Sequence, residues 1–507
     1  MNNENLSRCG LHEKAYYRLL ELFKENRLPF ISALVFGFAA HAFMLTNKIP
    51  FDDDLPFIFD KGASYVSGRY GLDLLRLVMP DQSMPWIYGI ISLVLLSVAA
   101  CFAVRLFEIK SPVLQLLLPA AFITFPSETG TMSYMFTSAP YALALLLTVA
   151  AVYRFESGAK LRWPVSALMI AFACSIYQGY FSFAASFCVL LMIKALVNNE
   201  KTAAETFKYG IKLLSLLLLA LAVYGLAIVF FSSVLNLPLL SEVINEKQSI
   251  VMRIAVAYSA YLNTVVKGYF GFVNSGVSRL AHIALLICAA LAFVVKMKGC
   301  RDLKKLGLLC LCLFLFPLSC YCLYMLADNS YIHALALYSF SSLYLLVFVL
   351  LEGGEHKLLT AGTSLAAVAL AVIVVNNVYF ANSFYLYTHL QYENVYSTYN
   401  SVLTQVYQTP GFDENSSIAI VGEHPVLQWN YDEAFDFSSF SLPGNNITKP
   451  IQAENVFKYY LGSELPFADE QTVAEIRESG EYALMPIYPY EGSVKKIGDT
   501  IVVKLAE

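Results

Sequence analysis

Membrane-length apolar runs separated by short polar stretches fill the first three quarters of the chain. A hydrocarbon core about 30 Å thick needs roughly 20 apolar residues per helix. On that criterion about eleven transmembrane helices are expected, near 29–46, 85–106, 111–127, 137–154, 163–177, 180–198, 210–233, 280–297, 306–327, 332–351 and 358–378. Tyr177-Gln178-Gly179-Tyr180 leaves almost no connection between the fifth and sixth, so these form a tight hairpin or a pair of partly re-entrant helices. Two connections are long, 47–84 and 234–279. The first contains an amphipathic stretch, Tyr70 to Val78, whose leucines suit the interface while Asp73 and Arg76 face water. The second contains another helical candidate, Ile254 to Phe270.

After Tyr379 the pattern changes. The last stretch carries 17 Asp and Glu against 6 Lys and Arg, the balance of a water-exposed domain. Tyr385–Val406, Ala453–Leu461 and Thr472–Glu478 read as helices, and Ile418–Gly422, Tyr482–Ile487 and Thr500–Leu505 as strands. Three parts are therefore expected: an amphipathic N-terminus (1–28), a polytopic α-helical membrane domain (29–378) and a small α/β domain (379–507).

Composition agrees. Hydrophobic residues make up 58% and charged residues only 14%, whereas soluble domains carry about a quarter charged. The net charge of −4 says little because the charges are segregated. Placing the N-terminus in the cytoplasm puts most Lys and Arg inside, above all Lys296, Lys298, Arg301, Lys304 and Lys305. An odd number of spans then leaves the C-terminal domain outside. The N-terminus lacks the small-residue cleavage site of a signal peptide. Most cysteines lie in or beside apolar spans, where Cys acts as a small hydrophobe. Cys310, Cys312, Cys320 and Cys322 have no nearby His or carboxylate in sequence to complete a metal set.

Candidate chemistry starts in the first long loop, which opens with Asn47 and runs into Phe51-Asp52-Asp53-Asp54-Leu55, then Gly68-Arg69-Tyr70. Ser175-Ile176-Tyr177-Gln178 follows at a span boundary. In order and spacing these pieces resemble the bacterial type II glucosyltransferase family of O-antigen and surface-polysaccharide modification. More broadly, the arrangement resembles the GT-C class of membrane glycosyltransferases. The family has Gly-Arg-Trp where Tyr70 stands here, and a His beside the Asp that this chain lacks. The resemblance implies a GT-C-like fold and a catalytic Asp on the first external loop. It also implies a polyprenyl-phosphate-linked sugar, most plausibly glucose, as donor, a surface or lipid-linked glycan as acceptor, and a bacterial inner or plasma membrane location. Aligning Leu55 favours Asp53; a one-residue slip selects Asp52.

Such a transfer needs a base for the acceptor hydroxyl, cations for the phosphate, and exclusion of water. Asp52, Asp53 and Asp54 offer the base. A model Asp titrates near 3.9 and is a feeble base. Two carboxylates about 6 Å apart repel by roughly 0.7 kcal/mol in water and about 3 kcal/mol at an effective dielectric of 20, which raises basicity. The same trio could hold Mg²⁺ or Mn²⁺ bridging the donor phosphate, or simply be a wet acidic loop. Arg69 and Arg76 are the phosphate candidates, since guanidinium grips phosphate in a bidentate manner; Arg69 could equally orient an Asp. Lys267 and Arg253 on the second long loop are backups, against the ordinary role of interfacial cations as helix anchors.

Glu128 is the only charge of the second external connection, a second acid or sugar-hydroxyl ligand unless it is loop solvation. Tyr177 and Gln178 suit hydrogen bonding to sugar or phosphate, or else are an interfacial aromatic and a helix cap. His41, His282 and His333 read as packing residues. The expected partners are donor, glycan acceptor and lipid bilayer, with no nucleic acid. A transporter or flippase would carry ionisable groups mid-span, where this chain has nearly none. An O-antigen-type polymerase or ligase would use a larger late loop than 234–279. Gly422-Glu423-His424-Pro425 lacks the glycine spacing of a phosphate loop.

Overall fold

The computed structural model describes residues 13, 17, 20, 21, 23–51, 54–55, 67–80, 82–235, 249–266, 276–298, 302–322, 334–351, 357–423 and 446–506. Asp52, Asp53, Lys267 and His333 lie outside the described residues. The helices are α1 (Arg27–Thr46), α2 (Tyr70–Leu75), α3 (Pro85–Leu106), α4 (Pro112–Ile123), α5 (Pro126–Ser133), α6 (Met135–Glu156) and α7 (Arg162–Ile176). They continue as α8 (Tyr180–Val197), α9 (Ala203–Leu235), α10 (Ile250–Thr264), α11 (Gly276–Met297), α12 (Leu303–Tyr321), a 3₁₀ segment (Ala334–Ser341) running into α13 (Ser342–Leu351), and α14 (Lys357–Gln408). Among the described residues nine are long and apolar enough to cross a membrane. Each of the eleven expected segments contains helix among the described residues, but the third and fifth are short: α4 covers only Pro112–Ile123 and α7 only Arg162–Ile176. Pro85, Pro112 and Pro126 stand in the first turns of α3, α4 and α5, where a missing N–H breaks no helical bond.

The bundle is layered around α3, α6 and α8. The span parts of α9 and α11 expose most of their apolar surface while α8 and the Ala334–Leu351 segment are almost wholly enclosed. Helices exposing Leu, Val and Phe all along one side fit a bilayer as solvent. The chain reads as a membrane protein on that ground.

Helix α14 carries the main surprise of the fold. It runs unbroken for 52 residues, about 78 Å at 1.5 Å per residue, so residue 378 lies inside one continuous helix. No Gly or Pro stands between Gly362 and Pro410, and nothing local stops it. Its first half packs in the bundle and its second half, from Val395 to Val406, in the C-terminal domain.

That domain is built on a three-stranded sheet in the order β1 (Ser417–Val421), β3 (Thr500–Lys504), β2 (Val494–Ile497), with β1 parallel and β2 antiparallel to β3. One face packs on α14 and α15 (Pro450–Tyr460), the other on α16 (Glu470–Glu478) and Tyr482. The strand expected at Tyr482–Ile487 is absent. Ser479 instead caps a helical turn, its hydroxyl accepting from the Tyr482 N–H at 3.2 Å. The first strand of the hairpin is Val494–Ile497, followed by Gly498-Asp499 with Gly498 at φ 61° and then by β3. That Gly-Asp pair was the available turn signal.

Candidate functional site

The first long loop is anchored by its ends. Phe51 is buried, edge-on to Tyr134 at 5.4 Å and to Phe384 of α14 at 5.9 Å. Its carbonyl accepts from the Asp54 N–H at 2.8 Å, closing a turn. Asp54 is fully buried, ion-paired with Lys48, and one oxygen accepts from the Phe136 N–H at 3.4 Å. A buried carboxylate needs such partners, since an unpaired one costs several kcal/mol.

Gly68 has φ 74°, a conformation that costs a residue with a Cβ roughly 1–2 kcal/mol. The Gly68 carbonyl accepts from the Tyr224 hydroxyl of α9 at 3.1 Å, and Gln178 Nε2 donates to the Ser67 carbonyl at 2.6 Å and to the Tyr224 hydroxyl at 3.0 Å. Tyr70 stacks on Phe231 at 4.7 Å. Its hydroxyl faces Ser175, and burial pushes its titration up to about 12. Gly71 lies so close to Ser175 that a Cβ would collide with its side chain and backbone. The Gly68-Arg69-Tyr70 and Ser175-to-Gln178 pieces, over a hundred residues apart, thus form one packed unit.

Arg69 sits on this unit, its guanidinium 5.2 Å from the centre of the Tyr177 ring and donating to the Tyr141 hydroxyl at 3.3 Å. Tyr141 stacks on Tyr177 at 4.5 Å. Helix α6 therefore serves both ends of the loop, Phe136 holding Asp54 and Tyr141 holding Arg69. The five-residue step from Phe136 to Tyr141 rises about 7.5 Å.

Asp73 and Arg76 do not face water as the amphipathic pattern suggested. They pair with each other at i,i+3 with both side chains largely buried, while Leu77 and Val78 are exposed. Tyr70 and Gly71 meet Ser175 of α7, and Leu72 and Asp73 are buried with them, whereas Leu74 and Leu77 are exposed.

Glu128 lies in the first turn of α5 and is 1% exposed. Neither carboxylate oxygen has a hydrogen-bond partner, nor does the Thr129 hydroxyl beside it. Burial alone pushes Glu128 up to about 8, so at neutral pH it holds a proton. Tyr180, Tyr338 and Tyr385 lie within electrostatic range. Two of their hydroxyls are engaged elsewhere: Tyr338 donates to the Phe122 carbonyl at 2.9 Å, and Tyr385 meets His41 Nδ1 at 2.8 Å. His41 also bonds the Ile123 carbonyl at 2.9 Å, and His282 bonds the Ser278 carbonyl at 3.0 Å and the Tyr344 hydroxyl at 3.2 Å, as packing residues would. Sequence reasoning picked Glu128 but missed its tyrosine surround, which comes from α8, the 3₁₀ segment and α14. Among the described residues no three His, Cys, Asp or Glu side chains come together to hold a metal.

Asp54 and Arg69 thus both meet one helix of a polytopic apolar bundle, which defines the class as a membrane protein with a polar first loop packed against its core. The family described as glucosyl transferase GtrII matches residues 42–351, more than half of the chain. The chain belongs to that family, and it is a glycosyltransferase that takes a sugar donor and a glycan acceptor. No curated protein and no solved structure matches it.

Proposed function

We propose that the protein moves glucose from a polyprenyl-phosphate donor to a cell-surface or lipid-linked glycan on the outer face of a bacterial plasma membrane, with inversion at the anomeric carbon. One observation carries the reading: described parts of all three sequence pieces meet α6 or each other, Asp54 at Phe136, Arg69 at Tyr141, and Arg69 over the Tyr177 ring. Asp54 is engaged by Lys48 and a backbone N–H, so the base falls to Asp53, with Asp52 as the one-residue alternative. The acceptor hydroxyl gives its proton to that carboxylate as its oxygen attacks the anomeric carbon, and the C1–O bond to the phosphate breaks. Arg69, which also meets the Tyr141 hydroxyl and the Tyr177 ring, supplies the planar fork for the departing phosphate. Arg76, paired with Asp73, serves the loop's packing instead.

An apolar cleft of about 490 Å³ between α8, α9 and α12, lined among others by Phe181, Leu214, Leu218 and Leu315, supports a lipid-linked donor. Its Phe181 and Leu221 end lies three residues from Gln178 and Tyr224. An outside location for the acidic C-terminal domain, and hence for the acid loop it touches, follows from the Lys and Arg distribution. The test is purified enzyme with synthetic polyprenyl-phosphate glucose, each of Asp52, Asp53 and Asp54 changed to Asn. Loss of turnover in Asp53→Asn or Asp52→Asn supports the reading; full turnover in both, or use of a nucleotide sugar instead, defeats it.

A further inference from the structure

The family match ends at residue 351, which leaves the C-terminal domain without a role. Leu55 provides one. It is fully buried, yet not in the bundle: it belongs to the core of the C-terminal domain, where every other buried member lies between Val395 and Leu505. Four residues earlier, Phe51 is buried in the bundle against Tyr134 and Phe384. The acidic run is thus pinned by one hydrophobic side chain on each side. Both pins reach the same helix, α14, which carries Phe384 in the bundle core and Val395 and Tyr399 in the domain core. Those positions are 11 residues apart, about 16 Å along a helix. On α15, Tyr460 lies within electrostatic range of Asp54, with its hydroxyl buried and without a hydrogen-bond partner.

We propose that the C-terminal domain is a positioning element of the transferase, seating Leu55 in its core and so fixing the chain that leaves the acidic run at Asp54. This rests on the reading of that run as catalytic. Leu55 is two peptide links from Asp53, each about 3.8 Å between Cα atoms, so slack at Leu55 passes straight to the base. A misplacement of about 1 Å can cost on the order of a hundredfold in rate.

The test compares full-length Leu55→Ala, Leu55→Val and Leu55→Met with Val502→Ala, which removes core volume on the opposite face of the sheet. With donor and acceptor saturable, Leu55→Ala is expected to lower kcat by about tenfold or more with both KM values changed by less than about twofold. Leu55→Val should fall between, Leu55→Met should recover most of kcat, and Val502→Ala should keep kcat despite a lower Tm. If kcat in Leu55→Ala and Val502→Ala falls alike, in step with Tm, the domain is only a stabilising stub and the proposal is wrong. It is equally wrong if Leu55→Ala raises acceptor KM alone. Should Asp52→Asn and Asp53→Asn both retain full turnover, the catalytic reading itself has failed. If an Asp variant is dead while Leu55→Ala keeps kcat, only the positioning inference has failed.

Discussion

Two buried carboxyl groups, 74 positions apart, have opposite surroundings. Asp54 is enclosed with Lys48 and a backbone N–H on its oxygens. Glu128 is enclosed with no hydrogen-bond partner at all and three tyrosines around it. A partnered buried charge is a construction element, and its ion pair fixes the end of a loop. A buried carboxyl without partners keeps its proton and remains able to donate a hydrogen bond, as an active-site acid can. The contrast leaves Asp54 tied down by two partners and Glu128 an enclosed acid whose titration burial raises.

The largest expected effect separates architecture from chemistry within the acidic run. Asp53→Asn should lower turnover by about 10²–10⁴-fold, the usual worth of a general base, with thermal stability unchanged. An Asp54→Asn variant with the same kinetic loss and an unaltered Tm would erase the distinction drawn here. Next, Lys48→Met leaves Asp54 as a buried charge without its cation and should cost about 3–5 kcal/mol in denaturant unfolding. A change below about 1 kcal/mol would mean the pair behaves like an exposed salt bridge.

The third test turns on pH. Burial raises Glu128 from 4.5 to about 8. The folded state therefore binds that proton more tightly than the unfolded state. Its contribution to stability is full below about pH 4.5 and is lost as pH rises through about 8. Glu128→Gln removes this slope, so the variant's Tm should gain on wild type steadily between about pH 5 and about pH 8. Parallel Tm curves across that window would show a Glu128 titrating as an ordinary surface acid. The smallest effect belongs to Gln178→Ala, which deletes the bonds to Ser67 and Tyr224 and should cost about 1 kcal/mol. Its signature is a higher donor KM, because Arg69 follows directly on the tethered Ser67-Gly68 turn.

Much of this was legible along the chain. Hydropathy located the nine described helices that are long and apolar enough to cross a membrane, because a bilayer imposes a length and a composition on each helix independently of its neighbours. The acid run, Gly68-Arg69-Tyr70 and Tyr177-Gln178 were also visible as residues. Asp73 and Arg76 were misplaced because helical periodicity reveals an amphipathic face without revealing that an i,i+3 ion pair lets that face turn inward. The strand expected at Tyr482–Ile487 failed for a local reason, Ser479 capping a helical turn. The hairpin strand Val494–Ile497 was hidden by two lysines in a four-residue element.

The sequence by itself determined the apolar helical class and the family, since each depends on short stretches of chain. Only the tertiary structure decided that Asp54 is paired with Lys48, that Glu128 has tyrosines from three distant segments within electrostatic range, and that Leu55 belongs to a core formed more than 300 residues later. Burial and partnership are properties of surroundings assembled from far along the chain, and no local pattern encodes them.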